Sequence, residues 1–247
     1  MGACDCLHTN LDVQNIIFLL DTSGSMTGPK IDQLNNGIYA SLEAIREIAA
    51  HYKVKATIRV AEFNDRAQWM LGRSEEGVDI DDAIASWTPL EAIGCTNTAA
   101  AIRLARECMH TKYLGEHAYP PVVILVTDGY SNSFFDTQAA MEELQNSMKS
   151  KRNPSKDRMI RIAVGVVSAN QTELEMFASV GTIIDENGIR KAVPLVCDVN
   201  NAKALANLLF HVSTSSVVSN ITTNGDVGNI VINAVGKNEI DEDDWDT

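Results

Sequence analysis

The pattern of this chain predicts a three-layer, doubly wound α/β fold with a mostly parallel sheet and an antiparallel edge strand. Two observations carry that expectation. Short apolar runs alternate with segments whose apolar residues recur every three or four positions, as in buried strands joined by covering helices. The stretch Ala67 to Leu71 reads as a short antiparallel neighbour of the strand before it.

Taken in order, the first strand covers Ile16 to Asp21. The helix after it aligns Ile31, Leu34, Ile38, Leu42, Ile45 and Ile48, and Pro29 stands just ahead, where proline fits a helix start. Val54, Ala56, Ile58 and Val60 alternate with Lys55, Thr57 and Arg59, a strand with unequal faces. Ala99, Ile102, Ala105 and Met109 mark a helix, and Pro121 to Val126 is the clearest buried strand. A helix is expected near Thr137 to Ser150, a strand from Met159 to Val167 and a short helix from Leu174 to Ala178. A weak final strand, Ala192 to Cys197, leads to a last core helix, Ala202 to Val212. From Ser216 the alternation stops. Asn224-Gly225 between Val217, Val218, Ile221 and Ile230, Ile232, Ala234 signals a hairpin. The expected organisation is an N-terminal extension at 1–13, one α/β domain at 14–215, a candidate β-hairpin extension at 216–238 and a disordered acidic tail at 239–247.

Composition narrows the function. The 247 residues are 45% hydrophobic, and a domain of that length buries on the order of 70% of its surface. The net charge is −13, with six carboxylates in the last nine residues and an acidic balance in the rest. That argues against nucleic-acid binding through a basic surface. The apolar runs are too short to span a bilayer, and Met1 to Cys6 has neither the basic region nor the apolar run of a secretory signal. Of five cysteines, Cys95, Cys108 and Cys197 read as reduced, packed thiols, so the cytoplasm is the expected compartment.

The chemistry sits in Asp21-Thr22-Ser23-Gly24-Ser25, between the first strand and the first helix. This loop offers one carboxylate and two hydroxyls at alternating positions. Thr96, in Gly94-Cys95-Thr96-Asn97-Thr98, and Asp128, in Val126-Thr127-Asp128-Gly129, add two more oxygen donors in similar contexts. Oxygen-only donor sets suit hard cations such as Mg²⁺, Mn²⁺ or Ca²⁺. In a doubly wound sheet, loops at the carboxyl ends of strands meet where ligands bind. Taken alone, Asp-x-Ser-x-Ser is also what a helix-capping loop looks like; the order and contexts of Thr96 and Asp128 favour the cation site.

With these residues in this order, residues 14 to 215 resemble a von Willebrand factor A-type domain with its metal-ion-dependent adhesion site, or MIDAS. The resemblance implies the Rossmann-like form of the fold. It also implies that Ser23, Ser25 and Thr96 would coordinate the ion directly, while Asp21 and Asp128 act mainly through bound water. One coordination position then stays open for a carboxylate, an Asp or Glu, from a protein partner. A departure is Cys95, where many relatives have glycine. Phe18 to Met26, Gly28-x-Lys30-Ile31, Leu34 to Gly37 and Phe210 to Ser215 further resemble the bacterial TerY-like branch, which is linked with tellurium resistance and stress operons. Relatives there often accompany a protein kinase and a metal-dependent phosphatase. The resemblance thus implies a non-enzymatic scaffold or adaptor.

Rival functions have weaker support. A phosphatase using Asp21 as nucleophile would need a second Asp two residues on, where Ser23 stands. A substrate-presenting subunit of an ATP-driven assembly would need its motor from a partner, since no Walker-type loop is present. Cys4-x-Cys6-x-His8 is a fragment of a zinc pattern without a second pair, better read as a flexible terminus. Phe134-Phe135, just after the Asp128 loop, reads equally as a binding anchor or as a pair buried under the next helix.

Overall fold

The computed structural model describes residues 13–115, 118–147, 159–167, 169–184, 190–199 and 202–222. In chain order its elements are β1 (Val13–Asp21), a short 3-10 turn (Gly24–Met26), α1 (Pro29–Tyr52), β2 (Lys55–Phe63), β3 (Ala67–Leu71), β4 (Val78–Asp79), α2 (Ile80–Ser86), α3 (Thr98–Glu107) and α4 (Thr111–Leu114). There follow β5 (Val122–Thr127), α5 (Phe134–Ser147), β6 (Ile160–Val166), α6 (Gln171–Phe177), β7 (Val180–Ile184), β8 (Arg190–Pro194), β9 (Val196–Val199) and α7 (Ala202–Thr222).

The main sheet has the order β3-β2-β1-β5-β6-β9. β1, β2, β5, β6 and β9 pair in parallel, whereas β3 and the two-residue β4 run antiparallel to β2. The expected fold is therefore the observed one. Every residue of β5, and all of β1 after Val13, is buried, because helices cover both faces of the sheet. α1 packs against α7, and α3 against α5. From β1 the chain crosses to β2 on one side, and from β5 to β6 on the other. The winding reverses between β1 and β5. The reversal opens a crevice at their carboxyl ends, where Asp21 closes β1 and Asp128 follows β5.

Arg59, on the expected polar face of β2, is fully buried. Its guanidinium donates to Asn15 Oδ1, Arg73 O and Tyr113 O, each at 3.0 Å, so its donors are satisfied without a carboxylate.

Two expectations are corrected. The single last strand, Ala192 to Cys197, is two. β8 pairs with β7 in a separate antiparallel ribbon, while β9 extends the main sheet. The chain changes partners at Leu195, whose N–H donates to Ser179 O while its carbonyl accepts from Ala163 N. Residues 216–222, expected to begin a hairpin, continue α7. Leu209, Val212, Ser213, Ser216, Val217 and Asn220 form its buried stripe. Three of those six are polar, which hid the helical period from a reading by hydropathy. Asn224-Gly225, the acidic tail and Cys4, Cys6 and His8 lie outside the described residues.

Candidate metal centre

Three segments build the site. The first leaves β1 at Asp21 and turns sharply through Gly24 into the 3-10 turn. Thr22 N–H and its hydroxyl both donate to Phe63 O, which ties the loop to the end of β2. The second segment precedes α3. Gly94 has φ +84° there, and a Cβ on it would overlap Asp65 Oδ2, so glycine is required. Its carbonyl accepts from Gly24 N at 2.9 Å, and Ile93 N–H donates to Thr22 O at 2.7 Å. The third segment, after β5, carries Asp128. Asn132 clasps it to the second: Asn132 N–H donates to Thr96 O at 2.8 Å, and Thr96 N–H donates to Asn132 Oδ1 at 3.2 Å.

All five expected oxygen donors meet at this crevice. Ser23 N–H donates to Asp21 Oδ1 at 2.8 Å. The Ser23 and Ser25 hydroxyl oxygens are 3.0 Å apart, and Ser25 Oγ donates to Asp128 Oδ1 at 2.6 Å. A Cβ placed on Gly129 would stand 3.5 Å from Thr96 Oγ1 and 3.9 Å from Ser25 Oγ, so those two hydroxyls face the same point. Asp21, Ser23, Thr96 and Asp128 are buried, and Ser25 is exposed at the mouth.

The electrostatics suit a cation. Burial holds the Asp21 carboxyl above its ordinary range, against hydrogen bonds from Ser23 and Thr127 that pull it down; Asp128 adds a smaller upward push. A carboxylate desolvated in this way gains from a nearby positive charge. Among the described residues no group of three or more His, Cys, Asp or Glu could hold a metal. A site here must therefore rely on hydroxyls, and the oxygen donor set present fits a hard divalent ion.

Sequence reasoning missed three positioning residues. Thr127 Oγ1 donates to Asp21 Oδ2 at 2.5 Å, leaving both Asp21 oxygens engaged. Lys30 Nζ donates to Asp128 Oδ2 and to Ser25 O. Asn132 joins two segments that sequence separates by 36 positions. Thr127 and Lys30 both lie in runs already singled out, so adjacency was the available signal.

The sequence model of the von Willebrand factor type A domain matches residues 15–193, most of the chain. The chain belongs to that family. Its domain is similar in fold to proximal thread matrix protein 1 from the mussel byssus, with a TM-score of 0.58 and 19% identity over 83% of this chain and 48% of that one. A second structure of the mussel protein, described with a zinc-occupied MIDAS motif, gives a TM-score of 0.56 at 18% identity over 83% of this chain and 46% of that one. A von Willebrand factor type A protein from Catenulispora acidiphila gives 0.59 at 15% identity, over 83% of this chain and 42% of that one. The domain thus spans less than half of each of these structures. No curated protein matches the sequence. Domains of this family often carry a MIDAS that binds divalent metal, and commonly bind protein partners through it.

The rim differs from expectation in two places. Cys95 is exposed, where a packed thiol was expected, and its hydrogen bond to the Asp65 carboxylate, with that residue's charge, holds the thiol above its ordinary value. Cys108, by contrast, is buried, and burial pushes it up to about 11. Phe135 is 81% exposed and Phe134 sits edge-on beside it, so the pair is not buried under α5.

Proposed function

We propose that this domain is a metal-dependent protein-binding module, a cytoplasmic scaffold or adaptor without catalytic activity of its own. Ser23, Ser25 and Thr96 hold a divalent ion through their hydroxyls, with Asp21 and Asp128 balancing its charge. The observation that carries the reading is the 3.0 Å separation of the Ser23 and Ser25 hydroxyl oxygens. Neighbouring ligands of an octahedron at about 2.0–2.1 Å stand roughly 2.8–3.0 Å apart, so two hydroxyls at hydrogen-bond spacing already lie at the separation that a shared small dication needs. Mg²⁺ is the proposed ion, with Mn²⁺ or Ca²⁺ as alternatives. When bound, it supplies an electrophilic position that a partner's Asp or Glu can fill.

The surroundings support a protein partner. Four of the eight exposed large apolar side chains among the described residues, Ile93, Tyr130, Phe134 and Phe135, stand on or beside the site's loops. Exposed aromatic and large aliphatic side chains of this kind are the usual anchors of a protein interface. The absence of chemistry rests on Asp21, whose two oxygens accept from Ser23 and Thr127 inside the crevice and are not presented as a nucleophile. Resemblance to the TerY-like branch favours a stress or phosphorylation-signalling context, with a kinase or phosphatase of the same operon as partner. The proposed domain body is 14–215, and α7 extends it to at least Thr222.

Calorimetry with Mg²⁺ and Mn²⁺ tests the site. Asp21→Ala and Thr96→Ala should each abolish binding while circular dichroism stays native. Unchanged affinity in both variants would remove the reading. Partner capture from native lysate should fail in EDTA and with Thr96→Ala; capture that survives both would mean the metal is not the contact.

A further inference from the structure

Lys30 is in an unexpected place. It is the second residue of α1, a helix of 24 residues whose first turn also carries Asp32. A helix N-terminus carries partial positive charge and favours acids over lysine. Another interaction must therefore account for a cation there. The Lys30 ammonium donates to Asp128 Oδ2 at 2.5 Å and to Ser25 O at 3.2 Å. The Asp128 side chain is fully shielded from solvent, while a quarter of the Lys30 side chain remains exposed. The other described ion pairs join Arg103 and Arg106 of α3 to Asp136 and Glu143 of α5, and involve none of the five candidate donors.

We infer that Lys30 is a built-in counter-ion of Asp128 that a divalent ion must displace, so that the chain itself sets the metal threshold of the site. The inference rests on the metal-binding reading above. Three chemical facts carry it. A serine hydroxyl has one proton and two lone pairs. Ser25 can therefore keep its bond to Asp128 Oδ1 and still offer a lone pair to a metal. An ammonium has three protons and no lone pair, so Lys30 cannot become a ligand. It adds only positive charge, a few ångströms from where a dication would sit and against a shielded carboxylate. Repulsion of that kind is weakly screened in a buried site. The escape route is open, because the flexible stem can carry the ammonium into solvent.

Calorimetric titration of Mn²⁺ and Mg²⁺ into wild type, Lys30→Met and Lys30→Arg tests this. Methionine keeps the helix propensity and stem volume; arginine keeps the charge. Lys30→Met should bind the metal roughly tenfold more tightly, within the roughly 5- to 150-fold range of coupled sites, and Lys30→Arg should stay near wild type. In wild type carrying ¹³C-lysine, the Lys30 Cε signal should move as Mg²⁺ saturates the site. Equal or weaker binding by Lys30→Met, or a Cε signal unmoved at saturation, would overturn the inference while leaving the metal site standing. Binding by Lys30→Met alone would support it in stronger form. Absence of binding in wild type and Lys30→Met alike would remove the metal-binding reading, and this inference with it.

Discussion

Asp21 concentrates the physics of the site at the scale of one residue. It is buried, and its carboxyl is held above the ordinary value of 3.8 chiefly by desolvation. A raised folded-state pKa means that the native state holds the proton more tightly than the unfolded chain. The ionised group therefore costs stability at neutral pH, and the cost is relieved as pH falls through the raised value. In chelator at neutral pH, Asp21→Asn should unfold at a higher urea concentration than wild type, and the gap should close on acidification below 3.8. Saturating Mg²⁺ should narrow or reverse the order, because the ion compensates the carboxylate. A wild type more stable than the variant in chelator at neutral pH would contradict this account. Thr127→Val removes the hydroxyl that serves Asp21 Oδ2 at nearly constant volume. It should cost about 1–3 kcal/mol, the usual penalty for an orphaned buried acceptor. Chemical denaturation checks the value, and the penalty should shrink in the Asp21→Asn background.

Among the elements, α7 is the one whose extent changes the experiment. It runs to Thr222, past the boundary expected at 215. Its last turns bury Val217, and Asn220 Nδ2 donates to Gln14 Oε1 at 2.7 Å and to Pro120 O at 2.8 Å. A chain stopped after 215 loses both. Burying a valine side chain is worth roughly 1.5–3 kcal/mol and each hydrogen bond about 0.5–1.5 kcal/mol. The stop after 215 should thus destabilise the domain by roughly 2.5–6 kcal/mol relative to a stop after 222. Equal urea midpoints for the two would show that the last turns of α7 contribute nothing. The loop clasp is a second matter of elements. Asn132→Ala should weaken metal binding without unfolding the domain, since it removes the side-chain half of the clasp on Thr96 while the backbone bond from residue 132 to Thr96 O and the strand pairing remain.

For the whole molecule, the donors come from three segments that only the folded sheet brings together. Metal should therefore bind the native state and stabilise it as a unit. At a concentration a hundredfold above Kd the gain is about 2.7 kcal/mol. Thermal unfolding should shift upward with Mg²⁺ in wild type and stay fixed in Thr96→Ala. The charge of −13 acts at this scale too. It repels acidic proteins at long range, so a partner should present its carboxylate on a neutral or basic face, and association should slow as salt rises.

Periodicity by itself determined the fold class and most elements, since long apolar repeats such as Ile31 to Ile48 and unbroken runs such as Val122 to Val126 have few alternative readings. The five candidate donor residues could be named from the sequence as well, because the strand-end loops that carry them have compact, ordered motifs. Their meeting at one crevice was decided by the tertiary structure, through the reversal of winding between β1 and β5. Tertiary context also decided what hydropathy cannot express. Asn220 is buried on α7 and Arg59 in β2 because their N–H groups reach acceptors far away in the chain, while Ser216 is buried there with its hydroxyl donating back to Ser213 O within the helix. Lys30 reaches an aspartate 98 positions away. Local sequence encodes what a segment can become; which distant groups will satisfy its charges and hydrogen bonds exists only once the sheet has formed.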